Sequence, residues 1–326
     1  MFPKYQRILV TGGAGFIGSH FVDRISNTGK NITVLDNVTT GNISNLNLSE
    51  SKISFINGDI RDKNLMAELV AESDLVVHLA AALGVSNIMN NTLESISINI
   101  EGSETVLKAA AALKKRVIIA STSEVYGKNP IQPLTEESDR VIGAPQTIRW
   151  TYSDAKAIEE SIARVLFITE SLPVTTIRFF NTVGPRQTGK YGMVLPRLIE
   201  SSLKNRDLEV YGNGEQTRVF CHVRDAVDGM ISLIEDERSI GDVFNVGGVG
   251  EISITDLAEK IIKKTDSKSR IIYKPYSEVY PAGFEDMLRR VPDVTKIRNL
   301  TGWSPAANLE QIIDDTVRSL TINKNV

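Results

Sequence analysis

Along the first half of the chain, short runs of β-branched and other apolar residues alternate with stretches whose apolar positions recur every three or four residues. Arg7–Thr11 (RILVT) reads as a buried strand, Gly18–Asn27 as a helix and Asn31–Asp36 (NITVLD) as a second strand. Further strand-like runs are Ile53–Ile56, Leu75–Leu79 (LVVHL), Val117–Ala120 (VIIA) and Val174–Phe179 (VTTIRF). Helical spacing fills Leu65–Ala71, Thr92–Leu113 and Asp154–Glu170. Apolar strands separated by helices predict crossover units and an α/β fold, a doubly wound parallel sheet covered on both faces. After about Asn181 the rhythm breaks into Gly-rich turns, two helical stretches and short strands, which predicts a smaller C-terminal lobe. The expected division is 1–180 and 181–326, with some segments of the second part returning to the sheet.

The turn after the first strand, Thr11-Gly12-Gly13-Ala14-Gly15-Phe16-Ile17-Gly18, also opens a helix, the context that a dinucleotide fingerprint requires. Gly12, Gly15 and Gly18 allow a tight turn, close approach of a pyrophosphate and close packing of helix on strand. The helix N-terminus then offers unpaired N–H groups to the phosphates. Asp36 closes the second strand 18 residues after Gly18, where its carboxylate can accept both hydrogen bonds of an adenosine ribose. No Arg or Lys follows in Asn37–Gly41 to neutralise a 2′-phosphate, which favours NAD over NADP. The first 180 residues are therefore expected to form a Rossmann-type NAD-binding domain.

Tyr152 and Lys156 stand at i and i+4, on one face of a helix start. A phenol of pKa near 10 is a poor base at neutral pH. A nearby ammonium and an oxidised nicotinamide both favour the phenolate. A second polar cluster, Ser121-Thr122-Ser123-Glu124-Val125-Tyr126-Gly127, follows the strand VIIA and so falls at the carboxyl edge of the sheet, where open α/β sheets bind ligands. Thr122 and Ser123 offer hydroxyls there, and Glu124 an acid or base.

Composition narrows the partners. At 326 residues the chain exceeds one ordinary domain of about 100–200. Its 37 Lys plus Arg against 40 Asp plus Glu leave a net charge of −3, with no electrostatic footprint for nucleic acid or an anionic membrane. No stretch approaches the ~20 apolar residues of a membrane helix, and the polar start Met1–Arg7 is not a signal-peptide core. A single cysteine, Cys221, cannot form an intramolecular disulfide, so the expected location is intracellular and cytoplasmic. His78 and His222 are read as structural, and no metal is expected.

With these residues in view, the chain resembles the extended short-chain dehydrogenase/reductase family, specifically its nucleotide-sugar epimerases, dehydratases and decarboxylases. The likeness runs through TGGAGFIG, Gly58-Asp59-Ile60, VHLAA at Val77–Ala81, STSEVYG, YSDAK, FFNTVGPRQ at Phe179–Gln187 and NGEQTRVFCHVRD at Asn213–Asp225. The resemblance implies that Tyr152 is the base and that Lys156 holds the nicotinamide ribose and tunes Tyr152. It places Thr122 on the sugar 4-hydroxyl, Asn181 and Arg218 on the diphosphate, and Asp59 on the adenine. Phe16, Ile17, Ile60, Leu79, Ala80 and Ala81 complete the implied cofactor site. Val194, Leu195 and Tyr211 lie in segments, Met193–Leu195 and Tyr211–Gly214, that resemble UDP-sugar members.

Such enzymes share an opening oxidation at C4 of the sugar. The 4-keto sugar is then reduced on the other face, loses water across C5–C6, or loses CO₂ from a C6 carboxylate that has become a β-keto acid. The Thr122-Ser123-Glu124 trio resembles GDP-mannose dehydratases and UDP-glucuronate decarboxylases. Arg149-Trp150-Thr151-Tyr152-Ser153 and Gly283–Asp293 resemble the decarboxylase domain of the bacterial enzyme that modifies lipid A with aminoarabinose. In that likeness Arg290 belongs to the active site, and a guanidinium suits a carboxylate. Ala81-Ala82-Leu83-Gly84-Val85 is closer to epimerases, where many decarboxylases have Ser-Pro. The first expectation is a UDP-glucuronate decarboxylase. A UDP-sugar 4-epimerase, a 4,6-dehydratase and a catalytically silent NAD-binding scaffold stand as alternatives. Relatives also dimerise through the Tyr-x-x-x-Lys helix, so a homodimer is expected. Here Ile158, Ile162 and Val165 form an apolar stripe that serves either that interface or the sheet.

Overall fold

The computed structural model describes residues 1–84, 91–189, 193–280 and 284–322, the last of these by backbone only. Val85 and Gly283, quoted with the motifs above, lie outside the described residues. Seven strands form one sheet: β1 Arg7–Thr11, β2 Asn31–Asp36, β3 Ile53–Asn57, β4 Leu75–His78, β5 Arg116–Thr122, β6 Val174–Phe179 and a seventh, Val243–Val246. Their order is β3-β2-β1-β4-β5-β6 followed by the seventh strand, every neighbouring pair parallel. β4 is buried at every position, as a strand covered on both faces must be. Strand order reverses between β1 and β4, so the connections leaving their carboxyl ends diverge and open a crevice there.

One face of the sheet is covered by α1 Phe16–Ser26 and a later helix, Val223–Glu235, which share a core of Phe21, Val22, Ile25, Val227, Met230 and Ile234. The other face carries α2 Lys63–Ala71, α3 Thr92–Ser97, α4 Ser103–Ala112 and α5 Thr151–Glu170. Met66, Leu69, Val106, Leu107, Ala163 and Leu166 pack there against Leu9, Val76 and Ile119. The seventh strand and the Val223–Glu235 helix both come from beyond Asn181, so the C-terminal part of the chain completes the sheet layer. The rest of that part builds a separate core of Leu195, Leu198, Ile199, Leu208, Val210, Leu257 and Ile261. It contains α6 Val194–Ser202 and the strands β7 Thr182–Val183, β8 Leu208–Tyr211 and β9 Thr217–Val219.

Three details differ from the sequence-based expectation, each for a local reason. β5 runs on to Thr122, because Ser121 and Thr122 continue the ladder with Arg178 and Phe179 of β6 although both are polar. The helix expected over Thr92–Leu113 is divided between α3 and α4 by a π-helical turn, Ile98–Gly102. There the Asn99 side chain turns inward, accepting from the Ala82 N–H at 2.8 Å and donating to the Ala82 carbonyl at 3.0 Å. Finally, α5 begins at Thr151 rather than Asp154, continuing from a 3₁₀ turn at Ile148–Trp150, which puts Tyr152 within its first turn. On α5, Ile158 and Val165 are exposed at 43% and 55% and only Ile162 packs on the core, so the apolar stripe faces away from the sheet.

Candidate active site

The glycine turn between β1 and α1 leaves no room for side chains. Gly12 has φ +71°, and a Cβ there would lie 2.6 Å from the Ala80 nitrogen, while one on Gly18 would strike the Gly12 carbonyl. No side chain caps α1, so its first N–H groups face the crevice without a protein side-chain acceptor. The Asp36 carboxylate accepts hydrogen bonds from Ala14 N–H at 3.0 Å and Val38 N–H at 2.8 Å, which fixes it at the end of β2. Burial raises its pKa, opposed by those N–H groups. Asp59 is gripped by Arg61, whose guanidinium also reaches Glu94 at 2.9 Å; hydrogen bonds from Arg61 hold the Asp59 carboxyl below its usual range.

These features fit a dinucleotide: a cradle that any Cβ would fill, free helix N–H groups, and an anchored carboxylate with no cation beside it. Gly12→Ala is accordingly expected to cost about 1–3 kcal/mol of stability through backbone strain, and to weaken NAD binding as well. Thermal melting and NAD titration check this; a variant unchanged in both would contradict the cradle.

The crevice continues as a single cavity of about 800 Å³. Every cofactor, catalytic and substrate residue named from the sequence lines it, including Leu79, Ala80 and Ala81 after β4, Asp59 and Ile60 after β3, and Val194, Leu195, Tyr211 and Arg218 at the far end. Thr122 and Tyr152 face each other across β5 and α5, and the Thr122 hydroxyl hydrogen-bonds the phenol. Thr122 also caps the 3₁₀ turn Ser123–Tyr126 by accepting the Glu124 N–H at 3.2 Å. The expectation that Lys156 acidifies Tyr152 needs correction for the protein by itself. Burial, then the Glu159 and Glu124 carboxylates, push the phenol above its ordinary pKa, and only the Thr122 hydrogen bond works the other way. Lys156 is engaged elsewhere: its ammonium donates to the Ala120 carbonyl at 3.0 Å and to Glu159 Oε2 at 2.9 Å.

Beyond Tyr152 lies a buried charge cluster that the sequence only partly announced. Glu124 Oε1 accepts from Arg290 Nη1 at 2.7 Å, and its Oε2 lies 2.5 Å from Arg149 Nη1. The three side chains are 14%, 12% and 6% exposed, so the pairs are shielded from solvent. Burial opposes ionisation of Glu124, but Arg149 and Arg290 outweigh it and hold the carboxyl down at about 2. Two guanidinium cations against one carboxylate leave an uncompensated positive charge facing the cavity. The Nε donors of both Arg149 and Arg290 are buried and without a partner among the described residues. Arg290 also donates to Asn181 Oδ1 at 2.5 Å, and Asn181 in turn donates to the Val219 carbonyl at 2.8 Å.

At the far end Arg218 is paired with Asp286, at 3.1 Å, which also accepts from Tyr276 at 2.9 Å. Tyr280 stacks on Phe284 with ring centroids 3.9 Å apart, and the Arg197 guanidinium lies 4.1 Å from the Tyr211 ring centroid. Flat aromatic and guanidinium faces are suited to a nucleobase. Arg149, Asp286 and Glu159 were not singled out from the sequence. His78 is neutral and structural, pushed down to about 3 by burial and hydrogen-bonded to Thr11 at 2.7 Å and Ser103 at 2.9 Å.

One end of the cavity thus takes a dinucleotide, the other offers guanidinia, and the two ends meet at Tyr152. This is the construction of a dinucleotide-dependent enzyme acting on an anionic substrate. The chain matches the family described as GDP-mannose 4,6 dehydratase over residues 9–316 and belongs to it, among the NAD-dependent nucleotide-sugar enzymes of the extended short-chain dehydrogenase/reductase type. It is 42% identical over 314 residues to UDP-N-acetyl-alpha-D-glucosaminuronate decarboxylase of Bacillus cytotoxicus, covering 96% of this chain and 97% of that one. UDP-glucuronic acid decarboxylase 1 of Xenopus tropicalis is 33% identical over 312 residues, 96% of this chain and 71% of the relative. Among solved structures, UDP-glucuronic acid 4-epimerase from Bacillus cereus, in complex with UDP-glucuronic acid and NAD, superposes with a TM-score of 0.87 at 27% identity, covering 97% of this chain and 99% of that one. Among the described residues, no helix is long and apolar enough to cross a membrane.

Proposed function

We propose that the protein decarboxylates a UDP-uronic acid through a 4-keto sugar. The observation that carries this reading is the buried cluster in which Arg149 and Arg290 share the single carboxylate of Glu124 and keep unpartnered Nε donors. A neutral hexose needs no such excess of buried positive charge, whereas a C6 carboxylate does. NAD, when bound, supplies the hydride acceptor for C4. Tyr152 takes the proton of the 4-hydroxyl, oriented by Thr122. The 4-keto group makes the C6 carboxylate a β-keto acid. The C5–C6 bond breaks, its electron pair passes into the C4–C5 enolate, and CO₂ leaves. Arg149, Arg290 and Glu124 hold the carboxylate in line until then, with Ser123 beside them at the carboxyl edge of β5. Asn181, Arg218, Val194, Leu195 and Tyr211 would hold the UDP portion.

Of the uronates, the one with a 2-acetamido group has the support of the 42% identical relative, and UDP-glucuronate that of the more distant ones. Incubation of the NAD-loaded protein with each, followed by mass spectrometry, tests the reading. The expected product has lost the mass of CO₂. An epimer of unchanged mass would instead favour the second reading, a uronate 4-epimerase, which the Bacillus cereus neighbour supports. Loss of water would select a dehydratase.

The same reading places the enzyme in the cytoplasm as a homodimer. Supporting the dimer, Ile158, Val165 and Ile168 on α5 and Leu93 on α3 are exposed at 43%, 55%, 64% and 84%. Sedimentation equilibrium is expected to give twice the chain mass, and Val165→Glu with Ile168→Glu the monomer.

A further inference from the structure

Glu159 is the one residue of the catalytic helix whose burial has no use in the mechanism so far. It follows Lys156 by one helical turn, yet the pair points inward: the two side chains are 0% and 3% exposed, with Nζ and Oε2 2.9 Å apart. A carboxylate in such a place is costly unless it is doing something to its neighbours. An uncharged side chain would leave Lys156 with the Ala120 carbonyl alone. Behind Glu159 runs a buried polar row: Ser103 stands beside the carboxylate, His78 Nε2 lies 2.9 Å from the Ser103 hydroxyl, and His78 Nδ1 lies 2.7 Å from Thr11. Thr11 is the last residue of β1 and begins the glycine turn. Lys156 is thereby tied through Glu159 toward the cofactor cradle as well as to β5.

We infer that Glu159 is a positioning residue that neutralises Lys156 and so keeps the Tyr152 phenol protonated until cofactor and substrate are in place. The geometry supplies the reason. An ammonium paired at 2.9 Å presents a dipole, not a charge, to the phenol one turn away, so Lys156 exerts little acidifying field. The positive charge that then favours the phenolate must come with the oxidised cofactor. A base coupled in this way removes a proton only in the assembled complex. The direction in which Glu159 and burial move the phenol agrees.

The other charged groups around the pair do not substitute for this effect. Glu160 on the same helix is held by Arg178 of β6 at 2.6 Å. Glu124 is shared between Arg149 and Arg290. His78 from β4 is neutral, and Thr122 from β5 and Ser103 from α4 carry no charge.

The inference rests on Tyr152 being the base, and the test separates the two. With Glu159→Gln the Lys156 charge is no longer cancelled, so the rising limb of kcat/KM against pH should move down by about one to two pH units. Glu159→Asp, which keeps the charge, should return it toward the parent position. A limb that stays put or moves up in Glu159→Gln overturns the inference. A second measurement needs no variant. In the parent protein without cofactor, ¹³C NMR of labelled tyrosine should show the Tyr152 ring, assigned by difference from Tyr152→Phe, still protonated at pH 10. A phenolate at lower pH overturns the inference equally. If Tyr152→Phe retains full turnover, the reading of Tyr152 as base fails instead.

Discussion

Replacing Tyr152 by Phe should lower turnover by about 10²–10⁴-fold, the range for loss of a positioned acid–base group, while NAD stays bound. The substitution removes one oxygen and leaves the ring. The cradle lies elsewhere: Gly12, Gly15 and Gly18 on the β1–α1 turn and Asp36 at the end of β2 do not touch the phenol in the protein hydrogen-bond network. The partner that loses its bond, Thr122, still caps the turn at Glu124, so β5 keeps its carboxyl end. The expected signature is therefore a fall in kcat with little change in KM, since the phenol acts on a proton in flight rather than on bound substrate. Cofactor titration by fluorescence and thermal melting should both match the parent protein. A variant that turns over at the parent rate would remove Tyr152 from the chemistry. One that fails to bind NAD would mean that the hydroxyl is part of the cradle.

The same cavity shows which parts of such a site the sequence makes legible. The glycine turn is local: its constraint arises between neighbours in sequence and on the adjoining strand, so spacing alone reveals it. Asp36 is legible because it ends a strand at a fixed distance from the turn, and Tyr152 with Lys156 because they share a helical face. Thr122 was legible as chemistry but misplaced as structure. Polar residues at the end of an apolar run read as loop, while the ladder with β6 continues regardless of side-chain polarity.

What stayed hidden was the pairing of charges. Arg149 reaches Glu124 from the turn that precedes α5, and Arg290 reaches it across 166 positions of sequence. No periodicity connects such residues, because the sheet edge and the C-terminal part bring them together only when folded. Arg218 was named for the diphosphate, but its present partner, Asp286, was not foreseen for the same reason. Glu159 was hidden differently. A Lys with a Glu three positions on is an ordinary exposed helical pair by pattern, and only packing against α4 and β4 turns this one inward.

Arg290→Met gives the sharper test of the reaction itself. It removes a buried guanidinium while keeping an unbranched side chain of similar reach. Afterwards Glu124 and Arg149 cancel, and no positive charge remains for a substrate carboxylate. Turnover of a UDP-uronate should fall by about 10²–10³-fold, as expected when one partner of a buried ion pair is lost at about 3–5 kcal/mol. Oxidation of a neutral UDP-hexose, which presents no carboxylate, should change by less than about tenfold, the scale of an ordinary hydrogen bond. The ratio of the two kcat/KM values is the measurement, because a general loss of folding moves both together. Arg290→Lys should recover part of the uronate activity, keeping the charge but losing the fork that holds both Glu124 and Asn181. Pairing Arg290→Met with Glu124→Gln removes one charge of each sign and restores the excess at Arg149. If uronate turnover returns in that double variant, charge balance governs recognition; if it stays low, Arg290 or Glu124 is needed in its own place at the carboxylate. Equal losses on uronate and hexose in the single variant would sink the decarboxylase reading, since the cluster would then be serving the fold and not the C6 carboxylate.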